Sequence, residues 1–317
     1  MKLLLTGASG FVGSAVQREV DCASLILKGE AVDIRDAEKV DRAIGEIRPE
    51  AVVHLAAQSF VPQSFRDPLE TFHVNFLGTF NLLQALKKYG FRGKFLFIGS
   101  ADVYGAVPPE LLPIKEDTPL RPRSPYGVSK TAAEALCIQW SQTEEMHIVI
   151  ARPFNHIGSG QSESFVVSNF AKQIVTAKHD RQRPVFQVGD LDVTRDFTDV
   201  RDVVRAYVLL LEHGKNGSVY NICSGVERSI RSVLTKLLEL SGISADIRRD
   251  ENRLRPSEQR RLVGSADKLQ SETGWRPEVS FEDSLQSVLQ YWEAQLLHSK
   301  GSAVRQVFQQ ALGSLPK

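Results

Sequence analysis

Four short apolar stretches, Leu3–Leu5, Ala51–Leu55 (interrupted only by His54), Phe95–Ile98 and Ile148–Ala151, recur along the chain with helical patterns between them. A strand exposed on one face alternates apolar and polar residues, whereas a strand that is apolar throughout is covered on both faces. The intervening segments carry helix-start signals. Asp67-Pro68-Leu69-Glu70 offers a capping carboxylate, a proline at the first helical position and a Glu three residues after the cap. Phe72, Phe76, Phe80 and Leu83 then repeat near helical spacing up to Gly90. Ser124-Pro125 opens another helix in the same way. This order of strand and helix predicts an α/β fold, a doubly wound parallel sheet with right-handed crossovers and a smaller C-terminal α/β lobe.

At 317 residues the chain has room for about two domains. The expected division is residues 1–152 plus about 190–228 in the first, and about 153–189 plus 229–298 in the second. A tail, 299–317, follows, with Val304, Val307, Phe308 and Leu312 at roughly helical spacing. Lys and Arg total 39 against 38 for Asp and Glu. With no global field to attract nucleic acid or an anionic membrane, any acidic ligand must be held locally. Arg248, Arg249, Arg253, Arg255, Arg260 and Arg261 crowd together, and most of them fit a solvated face. Cys22, Cys137 and Cys223 are widely spaced and form no CxxC, which argues against a disulfide framework or zinc site and for a reducing, cytoplasmic setting. No apolar run approaches the ~18 residues of a membrane span. Thr6-Gly7 cuts the Leu3–Leu5 run too short for a signal peptide, so that run is expected to be the first buried strand.

Thr6-Gly7-Ala8-Ser9-Gly10-Phe11-Val12-Gly13 follows that strand and opens a helix, the setting a dinucleotide-binding turn requires. Early glycines permit a tight turn and close backbone approach to a pyrophosphate; Gly13 lets helix and strand pack closely. The spacing is GxxGxxG, and alone it is equally compatible with a structural turn. Asp33 lies about 20 residues beyond Gly13, where an acidic partner for the adenosine ribose is expected. That interval holds one helix and one strand but not a further strand, helix and strand, so the adenosine half is abbreviated. Lys28 and Arg35 are single basic candidates, which leaves NADH and NADPH both open. Asp36 is expected to cap the next helix, and His54, inside an apolar strand, to be a satisfied core residue.

Tyr126 and Lys130 stand four apart at the start of a helix, so one ligand can meet both. A free phenol titrates near pH ~10, and a neighbouring ammonium together with an oxidised nicotinamide would lower that value. Joined to Gly7, Gly10 and Gly13 and to Gly99-Ser100-Ala101-Asp102-Val103-Tyr104-Gly105, the pair becomes specific. Asp33-Ile34, His54-Leu55-Ala56-Ala57, Asn75 with Gly78-Thr79, Arg195-Asp196-Phe197 and Thr273-Gly274-Trp275-Arg276-Pro277 complete the pattern. With these features the chain resembles the extended short-chain dehydrogenase/reductase family over nearly its whole length. The resemblance implies a centre in which Tyr126 is the general acid or base, Lys130 tunes it and holds the nicotinamide ribose, and Ser100 binds the sugar oxygen. It also implies cofactor contacts from Gly7, Gly10, Phe11, Val12, Gly13, Asp33, Ile34, Leu55, Ala56, Ala57 and Asn75. No metal is implied.

Arg152-Pro153-Phe154-Asn155-His156-Ile157-Gly158, with Ser164-Phe165-Val166, is similar to the substrate segment of the branch that handles GDP-mannose derivatives, and Arg255-Pro256-Ser257-Glu258 matches that branch's Arg-Pro-x-Glu motif. Substrate contacts are therefore expected from Ser100, Asp102, Asn155, Asn169, Arg195, Arg255 and Glu258, guanidinium forks suiting a diphosphate and a carboxylate suiting ribose hydroxyls. For Arg195 an ion pair with Asp199 or Asp202 is the competing reading. The dehydratases of this branch carry Arg-Arg and Arg-Lys where this chain has Gly160-Gln161 and Ser168-Asn169; Asp102, one methylene shorter than the Glu that they place there, points the other way. The resemblance thus implies NADPH- or NADH-dependent reduction of a GDP-linked 4-keto-6-deoxy sugar by a homodimer. Dehydration or 4-epimerisation is the alternative within the family, and a non-catalytic dinucleotide sensor the alternative outside it.

Overall fold

The computed structural model describes residues 2–180, 183–251 and 259–313, with side chains to residue 298. In chain order the elements are β1 (Leu3–Thr6), α1 (Phe11–Glu19), β2 (Ala23–Ser24), β3 (Ile26–Leu27), β4 (Glu30–Ala31), α2 (Ala37–Ile47), β5 (Ala51–His54), α3 (Val61–Arg66), α4 (Pro68–Phe72), a π-helical turn (His73–Leu77), α5 (Gly78–Lys88), β6 (Lys94–Ile98), α6 (Pro125–Thr143), β7 (His147–Pro153), β8 (Asn155–Ile157), α7 (Val166–His179), β9 (Val185–Val188), β10 (Thr194–Asp199), α8 (Val200–His213), β11 (Val219–Ile222), β12 (Glu227–Ser229), α9 (Ile230–Ser241), β13 (Asp246–Arg249), α10 (Asp267–Thr273) and α11 (Phe281–Gly313). Short one-turn 3₁₀ segments occur at Ala101–Val103 and Pro109–Leu111.

The chain forms two compact units. The first comprises residues 1–156, 192–229 and 255–279. Its sheet has the order β11-β7-β6-β5-β1-β2, every pair parallel. Each apolar strand feeds two cores because successive side chains point to opposite faces. Leu3, Leu5, Ala51, Val53, Leu96 and Ile98 join one core, with Val203, Tyr207 and Leu210 of α8. Leu4, Val52, Phe95 and Phe97 join the other, with residues of α2, α5 and α6. The expected helix starts are in place: Asp36 Oδ1 accepts from Lys39 N, Asp67 Oδ1 from Glu70 N and Ser124 Oγ from Gly127 N.

The strand order reverses at β1. On one side lie four strands; on the other lies only the two-residue β2, followed by the separate β3–β4 hairpin. The abbreviated half read from the short Gly13–Asp33 interval is therefore a missing strand.

The second unit comprises residues 157–191, 230–254 and 280–317. Helices α7, α9 and α11 pack on one another, and β9 pairs in parallel with β13. Trp292 Nε1 donates to Ser168 Oγ at 2.9 Å, tying α11 to α7. Residues 259–279, expected with the substrate lobe, group with the first unit: Trp275 is buried in its core and donates from Nε1 to the Asp202 carbonyl. The tail expected from residue 299 is not separate in backbone terms, since α11 runs through to Gly313.

Candidate active site

The carboxyl ends of β1 and β5 flank the reversal point, where open α/β sheets bind ligands. Gly7 has φ +71°, and a Cβ there would lie 2.8 Å from the Ala56 nitrogen, closer than side-chain carbons approach backbone. A Cβ on Gly13 would overlap the Gly7 carbonyl oxygen. Gly10 caps α1 without a side-chain bond, and the first turn carries no acidic residue. The leading N–H groups of α1 thus keep no side-chain acceptor in a cradle that only glycine permits, which fits the pyrophosphate of a dinucleotide. Phe11 and Val12 are half-buried against the core, the Phe11 ring stacked on His156 at 5.9 Å.

A buried hydrogen-bonded chain locks this end of the sheet. Thr79 Oγ1 donates to the Asn75 carbonyl at 2.7 Å, so it accepts from Nε2 of His54 at 2.9 Å. His54 Nδ1 then accepts from Thr6 Oγ1 at 2.7 Å, and Thr6 Oγ1 accepts from Ala56 N. His54 is a satisfied core residue, as its apolar surroundings suggested; burial, followed by the Lys130 charge, pushes its pKa down to about 3.

Asn75 is 1% exposed, and its side chain is engaged within the protein. Oδ1 accepts from Gln58 N, while Nδ2 donates to Gln58 O and to Ser129 Oγ, which donates to Tyr126 O. Read from the sequence as a cofactor contact, Asn75 instead ties the loop after β5, which carries Leu55, Ala56 and Ala57, to α6. The π-helical turn places it there. Thr6, Gln58 and Ser129 were not singled out in the sequence; Ser129 lies between Tyr126 and Lys130, the one local hint.

Tyr126 and Lys130 share the first turns of α6 and are 7% and 4% exposed. Lys130 Nζ donates to the Ile98 carbonyl at 2.8 Å, and burial lowers its pKa to about 8. Burial also dominates at Tyr126. It raises the phenol well above its ordinary 10.0, the Asp102 carboxylate raises it further, and hydrogen bonding with Ser100 works the other way. Without a bound dinucleotide, the protein's own groups thus raise the phenol, burial being the largest cause. Ser100 lies two residues past the end of β6 and caps the Ala101–Val103 turn, its Oγ accepting from Asp102 N at 3.1 Å.

At the adenosine end, Asp33 is exposed and paired with Arg35, while Ile34, expected beside adenine, is 5% exposed and turned into the core. A Cβ on Gly78 would meet Ile34 Cγ2 at 2.6 Å, so that glycine admits the isoleucine.

Among the substrate candidates, Asn155 is exposed on β8. Asn169 lies on α7 of the second unit, where its side chain bonds Glu163 O and Gln173. Arg195 donates from Nη1 to the carbonyls of Thr194 and Gln259, while Asp199 pairs with Arg201 and Asp202 with Arg205. Arg255 and Glu258 lie outside the described residues. Arg152, read as part of the substrate segment, is 4% exposed. It donates to both carboxylate oxygens of buried Glu134, to Tyr104 OH and to Glu116 O.

A parallel sheet with a glycine cradle at its reversal point and a Ser-Tyr-Lys set beside it defines a Rossmann-type protein of the nucleotide-sugar epimerase and dehydratase class. The chain belongs to the GDP-mannose 4,6 dehydratase family, whose model matches residues 26–288. It is 46% identical to GDP-6-deoxy-D-mannose reductase of Pseudomonas aeruginosa over 93% of this chain and 98% of that protein. Its structure is similar to that of RMD from Pseudomonas aeruginosa complexed with NADPH, with TM-score 0.87, 45% identity, and 93% of this chain and 100% of that one covered. It is also similar to the UDP-glucose 4-epimerase of Thermus thermophilus complexed with NAD, with TM-score 0.81, 32% identity, and 92% and 99% covered.

Proposed function

We propose that this chain reduces the C4 keto group of GDP-4-dehydro-6-deoxy-D-mannose to give GDP-6-deoxy-D-mannose (GDP-D-rhamnose), with NADPH or NADH as reductant. The similarity to the Pseudomonas aeruginosa reductase supports the substrate. That same similarity, 46% identity over 93% of this chain, is the observation that carries the direction. Reduction needs a proton donor at O4, and Tyr126, raised by burial and by Asp102, is protonated at neutral pH as that role requires.

A bound nicotinamide dinucleotide supplies the hydride to C4. Tyr126 gives its phenolic proton to O4 as charge develops there, and Ser100 donates a hydrogen bond to the same oxygen. Lys130, kept from solvent beneath them, stabilises the phenolate that results. The backbone of Gly7, Gly10 and Gly13 holds the pyrophosphate, and Asn75 acts indirectly by fixing the loop of Ala56 and Ala57 against α6. Asn155, Asn169, Arg195, Arg255 and Glu258 are the proposed contacts to the GDP-sugar.

A homodimer and a cytoplasmic setting belong to the same reading. Phe65, Leu69 and Val128 on neighbouring α3, α4 and α6 are 56%, 65% and 42% exposed, an apolar face suited to a second copy. Cys22, Cys137 and Cys223 form no disulfide.

The test is to supply the keto sugar with NADPH or NADH and identify the product by NMR. Consumption of reductant with formation of the 6-deoxy-D-manno product is expected, and Tyr126→Phe should lower turnover by about 100-fold or more. Conversion of GDP-mannose to the keto sugar without added nicotinamide, or unchanged turnover in Tyr126→Phe, refutes the proposal.

A further inference from the structure

The turn after the abbreviated half-sheet, residues 33–36, has no third strand to support it and is held by α4 and α5 instead. Asn81 Nδ2 on α5 donates to the carbonyls of Ile34 and Arg35 at 3.1 and 3.2 Å. From α4, Glu70 accepts Arg35 Nη1 on both carboxylate oxygens at 2.6 and 2.7 Å. The rest of the guanidinium faces Asp33, Nε at 2.9 and 3.0 Å and Nη2 at 2.5 Å.

Glu70 occupies the third helical position after the Asp67 cap, where a capping-box carboxylate turns back to the cap N–H. That N–H already donates to Gln63 O, and the Glu70 carboxylate goes to Arg35. The helix therefore does not require an acid here. Nor does stability, since Arg35, Asp33 and Glu70 are 43%, 45% and 36% exposed and such pairs contribute little. What Glu70 changes is the availability of Arg35: Glu70 holds Nη1 while Asp33 holds Nε and Nη2, so each nitrogen of the guanidinium donates to a carboxylate.

We propose that Glu70 is a specificity-determining residue at the adenosine end: by occupying Arg35 it restrains binding of a 2′-phosphorylated dinucleotide relative to one with a free 2′-hydroxyl. This rests on the reading of the site as a dinucleotide site. A 2′-phosphate would draw on guanidinium donors that Glu70 and Asp33 already hold, whereas a neutral 2′-hydroxyl has no need of them.

The full chain and its Glu70→Gln, Arg35→Gln and double variants are titrated calorimetrically with NADPH and with NADH, no sugar present. Glu70→Gln should tighten NADPH about threefold to fivefold, the effect of one surface charge at close range, and leave NADH within about twofold. In the Arg35→Gln background the same change should have no effect on NADPH, because the residue acts through the guanidinium. Equal shifts for both dinucleotides, weaker NADPH binding, loss of both, or a gain that persists without Arg35 overturns the proposal. Failure of the wild-type chain to bind either dinucleotide overturns the underlying site reading instead.

Discussion

Glu134 and Arg152 form an ion pair between α6 and β7 whose side chains are 2% and 4% exposed. Glu134 lies one helical turn beyond Lys130, so the pair fixes the helix that presents Tyr126 and Lys130 against the sheet. Glu134→Ala would leave a guanidinium buried without its carboxylate, retaining only Tyr104 OH and Glu116 O. Breaking a buried pair from one side costs about 3–5 kcal/mol, a large share of the roughly 5–15 kcal/mol that holds a typical domain. Replacing both partners by apolar residues of similar volume, Glu134→Leu with Arg152→Met, removes the stranded charge and should cost less than Glu134→Ala alone. Urea unfolding of Glu134→Leu, Arg152→Met and their double, followed by circular dichroism, measures the coupling, expected at about 2 kcal/mol or more. A Glu134→Ala cost below about 1 kcal/mol, or a double variant equal to the sum of the singles, would refute the argument that the pair is desolvated and mutually dependent.

Gly13→Ala should abolish dinucleotide binding in calorimetry, because its methyl must displace the Gly7 carbonyl; wild-type affinity in that variant would show that the turn is not the cradle. Lys130 makes a signed prediction for pH. Its folded pKa of about 8 lies below the ordinary 10.5, so between those values the folded chain binds fewer protons than the unfolded one, and this group makes stability rise with pH. Lys130→Met should remove that upward slope in urea midpoints measured from about pH 8 to 10, and an unchanged slope would sink the assignment.

The sheet and the helix starts were legible because their causes are local. Continuous apolarity gave both-face burial at Leu3–Leu5 and Phe95–Ile98, and Asp36, Asp67 and Ser124 cap helices from within three residues. The shortened adenosine half was legible from arithmetic alone. What sequence reading missed depends on partners far along the chain. Asn75 looked like a ligand contact until Gln58 and Ser129, 17 and 54 residues away, were seen to occupy it. Arg152 sat in a substrate-like segment while its charge was committed to Glu134 on another element. Tyr126 shows the same limit: the neighbouring lysine is readable from a four-residue spacing, but the burial that raises the phenol is a property of the assembled core and is not.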